Sequence, residues 1–181
     1  MNVQSLYQKA IRFAAYRHME KKQKVKGTKL PYVVHLSNVA MEILVASAHT
    51  EHLDLEFAVP VALLHDTIED TSTTLQELDE QFGNDIATGV LALTKNDMLP
   101  KEQQTIDSLA RIKQLKKEVW AVKLADRITN LQEPPSDWSS NKRIKYLEDS
   151  KLILHALRGG NKYLAARLKE KIEEYPAFIG K

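Results

Sequence analysis

The sequence predicts an all-α protein, and three features support that prediction. Apolar residues recur every three or four positions along most of the chain, which is the period of an amphipathic helix. No segment shows a convincing two-residue alternation, and there is no internal repeat or low-complexity tract. At 181 residues the chain is long enough for one sizeable core. We therefore expect a single domain, residues 1–181, of about eight or nine helices around one core.

The first half of the chain is predicted to form five helices separated by short loops. Their apolar positions fall at helical spacing over 4–22, 33–44, 54–68, 75–82 and 85–93. Gly27 and Pro31 mark the first loop, and Pro60 lies either early in the third helix or at a kink in it. Thr74 followed by Glu77 is a capping-box signature for the start of the fourth helix.

The second half is predicted to form four more helices. They are expected over 101–116, 118–131, 139–158 and 161–174. The second of these is strongly apolar and is therefore expected at the centre of the fold. Pro134 and Pro135 break the chain after it, and a Gly-Gly pair separates the last two helices.

Composition narrows the possible classes of protein. There is no cysteine, which excludes disulfides and thiolate metal sites. No apolar run approaches the roughly 20 residues that span a bilayer, and residues 1–17 lack the apolar core of a signal peptide. We therefore expect a soluble, cytoplasmic protein that does not bind membranes. The sequence gives no indication of its oligomeric state.

Charge is distributed unevenly along the chain. Residues 1–29 contain eight Lys or Arg and one acidic residue, whereas 30–94 contain eleven acidic residues and no Lys or Arg. The acidic middle could recruit a cation, and the basic flanks could hold an anionic substrate over it; the alternative is a set of solvated helix faces. A single basic helix with mixed spacing is weak evidence for nucleic-acid binding, which we do not expect.

The stretch ALLHDTIEDT, residues 62–71, indicates a metal site. It places His65, Asp66, Glu69 and Asp70 directly after a run of apolar residues. Carboxylates this close repel one another, and burying them is costly unless a cation is present. A metal ion would resolve that conflict.

Three further polar residues lie in apolar helical contexts. They are His35, Asp126 and Asn130. With His65 and Asp66, the first two offer two imidazoles and two carboxylates from three helices, a set that suits Mn²⁺, Fe²⁺ or Zn²⁺. Each residue alone has a simpler explanation, a satisfied core histidine or a salt-bridged aspartate. Their coincidence favours the metal.

At this point a family resemblance is clear. The order His35, His65-Asp66, Asp126 resembles the HD phosphohydrolase superfamily. The segments LPYVVHLSNVA, ALLHDTIEDTSTTLQELDEQFG and VKLADRITNL resemble the hydrolase domain of RelA/SpoT alarmone enzymes, closest in layout to the small stand-alone alarmone hydrolases. The resemblance runs over about residues 4–158. It implies a single HD-domain helical bundle. Because the chain is too short to hold the synthetase domain of the long family members, we expect hydrolysis of the nucleotide without synthesis.

The resemblance also implies roles for individual residues. It makes His35, His65, Asp66 and Asp126 the ligands of Mn²⁺, or of another divalent transition metal. It makes Glu69 and Asp70 the catalytic acid pair, which would orient or deprotonate the water that the metal activates.

Residues implied to contact the nucleotide are Lys26, Asn130, Trp138, Lys142 and Tyr146. The last three are spaced by four and so share one helix face. Alternatively, Trp138 and Tyr146 belong to the core and Lys142 to the solvated surface.

One position departs from the family pattern. Val25 stands where the family usually has an Arg that packs against the nucleobase. This departure concerns base selectivity and not the metal chemistry.

We therefore expect a Mn²⁺-dependent guanosine-3′,5′-bis(diphosphate) 3′-pyrophosphohydrolase. One alternative is an HD nucleotidase acting on another nucleotide, such as NADPH. Another is a binding module that senses a nucleotide with little turnover, although the intact Glu69-Asp70 pair argues against it. The residues alone support only metal-assisted phosphoester hydrolysis.

Overall fold

The computed structural model describes residues 2–180, which form ten α-helices and one short 3-10 helix. Their bounds are α1 Val3–Glu20, α2 Val33–Ser47, α3 Leu55–Leu64, α4 Thr67–Asp70, α5 Leu75–Phe82, α6 Asn84–Leu93, α7 Lys101–Ile112, α8 Lys117–Asn130, α9 Ser140–Leu157, α10 Lys162–Glu174 and the 3-10 helix Tyr175–Phe178. Among these residues there is no strand, only an isolated antiparallel bridge between Lys24 and Pro31. The predicted all-α class is confirmed, with nine helices of eight residues or more and a single-turn tenth.

Helix α3 is the most apolar helix and occupies the centre of the fold. All of its residues from Phe57 to Leu64 are buried, including Pro60 inside the helix. It packs against α1, α2, α6 and α8. Buried apolar residues of these helices belong to one continuous cluster, whose removal from water is the main source of stability.

Side chains at the helix ends fix several boundaries. Asp54 caps α3 by accepting a hydrogen bond from the backbone N–H of Phe57 at 3.2 Å. Thr74 caps α5 by accepting one from the N–H of Glu77 at 3.1 Å, as the capping-box pattern predicted. In a complete capping box the Glu77 carboxylate would accept a hydrogen bond from the backbone N–H of Thr74. In this structure it pairs with Arg17 instead.

The predicted continuous helix over 54–68 is wrong at its C-terminal end. α3 stops at Leu64, and α4 starts as a separate turn at Thr67. The His65 Nδ1 lies 2.7 Å from the carbonyl of Ala62, and the Thr67 hydroxyl donates to the carbonyl of Leu64 at 2.7 Å. These side chains occupy carbonyls that a continuing helix would bond through its backbone, so the helix ends where the HD pair begins.

None of the helices in the range 2–180 has the length and hydrophobicity needed to span a membrane.

Candidate metal centre and active site

Four predicted ligands converge on one point between α2, α3 and α8. The Nε2 atoms of His35 and His65 lie 3.3 Å apart. The Oδ1 of Asp126 lies 3.4 and 3.5 Å from these two nitrogens, and the Oδ2 of Asp66 lies 3.7 and 3.0 Å from them. His35, His65 and Asp126 are buried, and one ligand atom from each lies within 4.8 Å of the other two. The sequence-distant residues therefore form one compact donor set.

Hydrogen bonds orient the imidazoles so that both Nε2 atoms face this point. The Nδ1 of His65 is hydrogen-bonded to the carbonyl of Ala62, and the Nδ1 of His35 lies 3.4 Å from the hydroxyl of Thr129. A ligating histidine typically makes such a bond through its second nitrogen, which fixes the ring and its tautomer.

The carboxylates are held in a similar way. Asp126 accepts hydrogen bonds from Lys123 Nζ at 3.0 Å and from Asn130 Nδ2 at 2.5 Å. Asp66 accepts one from the hydroxyl of Tyr32. Asn130, predicted to contact the nucleotide, is thus engaged with a predicted ligand.

The electrostatics of the cluster show that it attracts positive charge. Burial disfavours a charged imidazole, yet Asp66 and Asp126 raise the pKa of His65 well above its ordinary value. Burial also opposes charge on Asp126, but Lys123 and the two imidazoles hold the pKa of its carboxyl well below its ordinary range. Two ionised carboxylates and two imidazoles with converging nitrogens are a donor set that fits a divalent transition metal.

Glu69 and Asp70 lie on α4, next to the cluster but in different environments. Glu69 accepts two hydrogen bonds from Lys95, from its backbone N–H at 2.9 Å and from its Nζ at 2.6 Å. Asp70 accepts one from Gln23 Nε2 at 2.7 Å. Burial, Asp66 and Glu69 raise the pKa of Asp70.

Three of the predicted nucleotide-contacting residues gather around Trp138. The ammonium groups of Lys26 and Lys142 lie 4.9 and 4.4 Å from its ring centroid. Tyr146 meets it edge-on at 5.1 Å, and the guanidinium of Arg127 lies 4.3 Å from the Tyr146 ring. Trp138 is itself buried, so this group is part of the packing as well as a concentration of positive charge.

The loop that carries Lys26 is seated by a close backbone approach. Gly27 has φ +76°, and a Cβ there would lie 3.0 Å from the Pro135 side chain. A side chain at this position would be strained by the positive φ and would press on Pro135, so glycine favours this close packing of the loop that carries Lys26.

Sequence reasoning missed several residues that hold the site. Lys123 lies three positions before Asp126, which it contacts, and this helical spacing could have identified it. Tyr32 lies three positions before His35, but its hydroxyl bonds Asp66, 34 residues further along the chain. Gln23, Lys95 and Arg127 had no such signal: the first two reach the acid pair across the fold, 47 and 26 residues away in sequence.

Comparison with known proteins identifies the family. The HD domain profile matches residues 10–158. The chain belongs to the HD domain family. This match and the relatives described below confirm the predicted resemblance to HD-superfamily and RelA/SpoT-type hydrolases.

Relatives of this HD domain protein include small proteins of similar length. Guanosine-3′,5′-bis(diphosphate) 3′-pyrophosphohydrolase MESH1 of Danio rerio is 33% identical over 169 residues, which are 91% of this chain and 88% of that protein. The Homo sapiens MESH1 is 31% identical over 90% of both chains. A solved structure described as a metazoan ortholog of SpoT that hydrolyzes ppGpp has a TM-score of 0.81 at 26% identity, covering 93% of this chain and 94% of the other.

Proposed function

We propose that this HD domain protein is a guanosine-3′,5′-bis(diphosphate) 3′-pyrophosphohydrolase. One observation carries the proposal: relatives with this activity in their names are 31% and 33% identical to the chain over about nine-tenths of both lengths. The reaction adds water across the bond between the 3′ oxygen and its pyrophosphate group. It releases pyrophosphate and leaves guanosine 5′-diphosphate.

We assign the cluster of His35, His65, Asp66 and Asp126 to a Mn²⁺ ion. When bound, such an ion polarises phosphoryl oxygens and lowers the pKa of a coordinated water molecule. The nitrogen and oxygen donors suit Mn²⁺, Fe²⁺ or Zn²⁺, and the absence of sulfur ligands disfavours softer ions. The family resemblance favours Mn²⁺ among these three.

Glu69 and Asp70 would divide the remaining chemistry. The raised pKa of Asp70 brings it closer to the operating pH, which favours proton exchange with the attacking water or the leaving group. Glu69 is bound by Lys95 through both oxygens, and it holds that ammonium at the edge of the site. A cation there can balance charge that develops on the phosphoryl oxygens.

The cations around Trp138 would bind the phosphates of the substrate. A nucleotide carrying two diphosphates is strongly anionic, and the carboxylates of the centre repel it. Lys26 and Lys142 supply positive charge at the rim, and Asn130 has a side-chain carbonyl oxygen that can accept a hydrogen bond from the nucleoside. Burial raises the pKa of Tyr146 to about 12, so its phenol stays protonated and can donate.

The test is a nucleotide panel assayed with Mn²⁺, Mg²⁺ or Zn²⁺ added to metal-stripped protein. Guanosine tetra- and pentaphosphate, their adenine counterparts and NADPH are compared, with pyrophosphate and orthophosphate measured separately. We expect pyrophosphate from the guanosine substrates, most rapidly with Mn²⁺, and none with Asp66→Ala. Orthophosphate as the main product, from NADPH or any other member of the panel, would replace the proposal with the nucleotidase alternative. Tight nucleotide binding without turnover would replace it with a sensing role.

A further inference from the structure

A chain of hydrogen bonds leads from a buried histidine on α1 to the acid pair. The Nδ1 of His18 lies 2.5 Å from the Oε1 of Gln23, and the Nε2 of Gln23 donates to the Oδ2 of Asp70 at 2.7 Å. The backbone N–H of Gln23 also bonds to the carbonyl of His18 at 3.0 Å. Gln23 is thus held to His18 by both main chain and side chain before it reaches Asp70.

The chemistry of these groups fixes the direction of the chain. An ionised Asp70 can only accept, so the amide nitrogen of Gln23 must face it and the amide oxygen must face His18. The Nδ1 of His18 must then carry the proton and donate. Its Nε2 is left as an acceptor, and this atom is buried without a hydrogen-bond partner among residues 2–180.

A neutral ring fits this arrangement. His18 is only 1% exposed, and burial lowers its pKa despite the opposing effect of Gln23. In the neutral ring only a lone pair on Nε2 lacks a partner. In the protonated ring a charged N–H group would be buried without an acceptor, which costs more free energy.

The same ring contacts the metal side of the site. It packs against Tyr32 with ring centroids 4.6 Å apart, and the Tyr32 hydroxyl donates to Asp66. His18 therefore supports a predicted ligand through one neighbour and the acid pair through another, although it touches neither carboxylate itself.

We propose that Gln23, oriented by His18, is a positioning residue that holds the Asp70 carboxylate in the geometry needed for proton transfer. The proposal rests on the proposed function. Asp70 is at the end of a four-residue helix, where local structure alone constrains a side chain weakly. A residue that must be held within about 0.5 Å of the geometry productive for proton transfer needs such external support.

Kinetics of Gln23→Met test this role, because methionine keeps the length of the side chain and removes both hydrogen bonds. We expect kcat to fall about 10- to 100-fold, the range for losing a hydrogen bond to a charged group, with KM within about twofold of wild type. Mn²⁺ content should be unchanged. The matched control is Gln76→Met, which removes an exposed glutamine–carboxylate hydrogen bond of 2.9 Å to Glu80.

A double-mutant cycle separates positioning from general damage. In an Asp70→Ala background, Gln23→Met should change the residual rate by less than about twofold, because the group that it positions is gone. An equal loss in both backgrounds, or a wild-type kcat in Gln23→Met, would overturn the proposal. The wild-type rate on guanosine tetraphosphate tests the proposed function, so the two failures are distinguishable.

Nuclear magnetic resonance tests the same chain without turnover. Long-range ¹H–¹⁵N spectra should show His18 as the neutral Nδ1–H tautomer, and the side-chain amide signals of Gln23 should shift in Asp70→Ala. A protonated Nε2, or Gln23 signals that ignore the loss of Asp70, would refute the hydrogen-bond chain.

Discussion

We expect Mn²⁺ to stabilise this protein thermally, and replacing Asp126 by asparagine should remove most of that stabilisation. The side chain keeps its shape, but the cluster loses one of its two carboxylates. Asp126 is the member that lies almost equally close to both imidazoles, at 3.4 and 3.5 Å, and it is buried. Its loss leaves the two positive charges of the ion opposed by Asp66 alone.

The expected size follows from linkage. A ligand present at about 100 times its dissociation constant stabilises the folded state by about 2.7 kcal/mol. For a domain of this size that is a rise in Tm of roughly 5–10 °C. Loss of a partner that only orients a ligand weakens binding 10- to 100-fold, so loss of a ligand should weaken it by at least about 100-fold. At the same Mn²⁺ concentration the gain then falls to about 0.4 kcal/mol, or roughly 1–2 °C.

The assay is thermal unfolding of metal-stripped protein with increasing Mn²⁺, for wild type and Asp126→Asn. Asp79→Asn, at an exposed aspartate on α5, is the control and should keep the full gain. The same gain in Asp126→Asn as in wild type would refute the assignment of this carboxylate. A wild-type Tm that does not respond to Mn²⁺, Fe²⁺ or Zn²⁺ would refute the metal centre.

The stabilisation by Mn²⁺ should also increase with pH. Because the folded pKa of His65 is raised, its protonation contributes stability that is complete below about 6.5, the unfolded value, and is lost as pH rises through the folded value. A metal needs the neutral imidazole, so it competes with that proton. The difference in Tm with and without Mn²⁺ should therefore widen between about pH 6 and pH 8, and a difference that narrows over this range would contradict the reasoning.

Three further predictions concern catalysis and specificity. Glu69→Gln should keep its metal, by elemental analysis, and lose about 10²–10³ in kcat, because the variant no longer fixes the Lys95 ammonium through an ion pair. Near wild-type turnover would contradict its role. Lys26→Ala and Lys142→Ala should each raise KM, and the increase in KM should become smaller as ionic strength rises. An unchanged KM in both variants would show that these lysines are solvated surface residues with no role in substrate binding. Because Val25 cannot stack on a base, the adenine and guanine forms of the substrate should differ by less than about tenfold in kcat/KM. Val25→Arg should lower KM for the guanine form. A guanine preference above about 100-fold in the natural protein would show that another residue recognises the base.

The helices and the convergence of the imidazoles and carboxylates were predictable because their signals are local or chemically rare. Helical periodicity places α2 and α8, and each puts one unusual polar residue, His35 or Asp126, on an apolar face. Buried imidazoles and carboxylates are costly without a common partner, so a few such residues imply that they meet. The convergence needed no knowledge of how the helices pack.

The supports of the acid pair were not predictable in the same way. Gln23 follows Lys22, which has a positive φ of +52° just after α1. Lysine rarely adopts this conformation, so the sequence does not predict the path of the chain at this point. The break between α3 and α4 was missed because periodicity continues through it. It separates His65 from Glu69, which a continuous helix would have placed on one face. Side-chain hydrogen bonds decided this boundary, and they depend on the fold around it.

The uneven charge distribution of the sequence is resolved in the structure by pairing across the fold. Four acidic residues of the middle segment pair with cations from the flanks, and these pairs are Glu42–Arg167, Glu69–Lys95, Glu77–Arg17 and Asp85–Lys116. Asp66 and Asp70 are instead held by the neutral donors Tyr32 and Gln23. A neutral donor fixes a carboxylate in place without cancelling its charge, so these two hydrogen bonds leave the negative charge of both carboxylates in place. The same sequence feature thus ties the flanks to the core and leaves, beside two converging imidazoles, carboxylates that can attract a divalent cation.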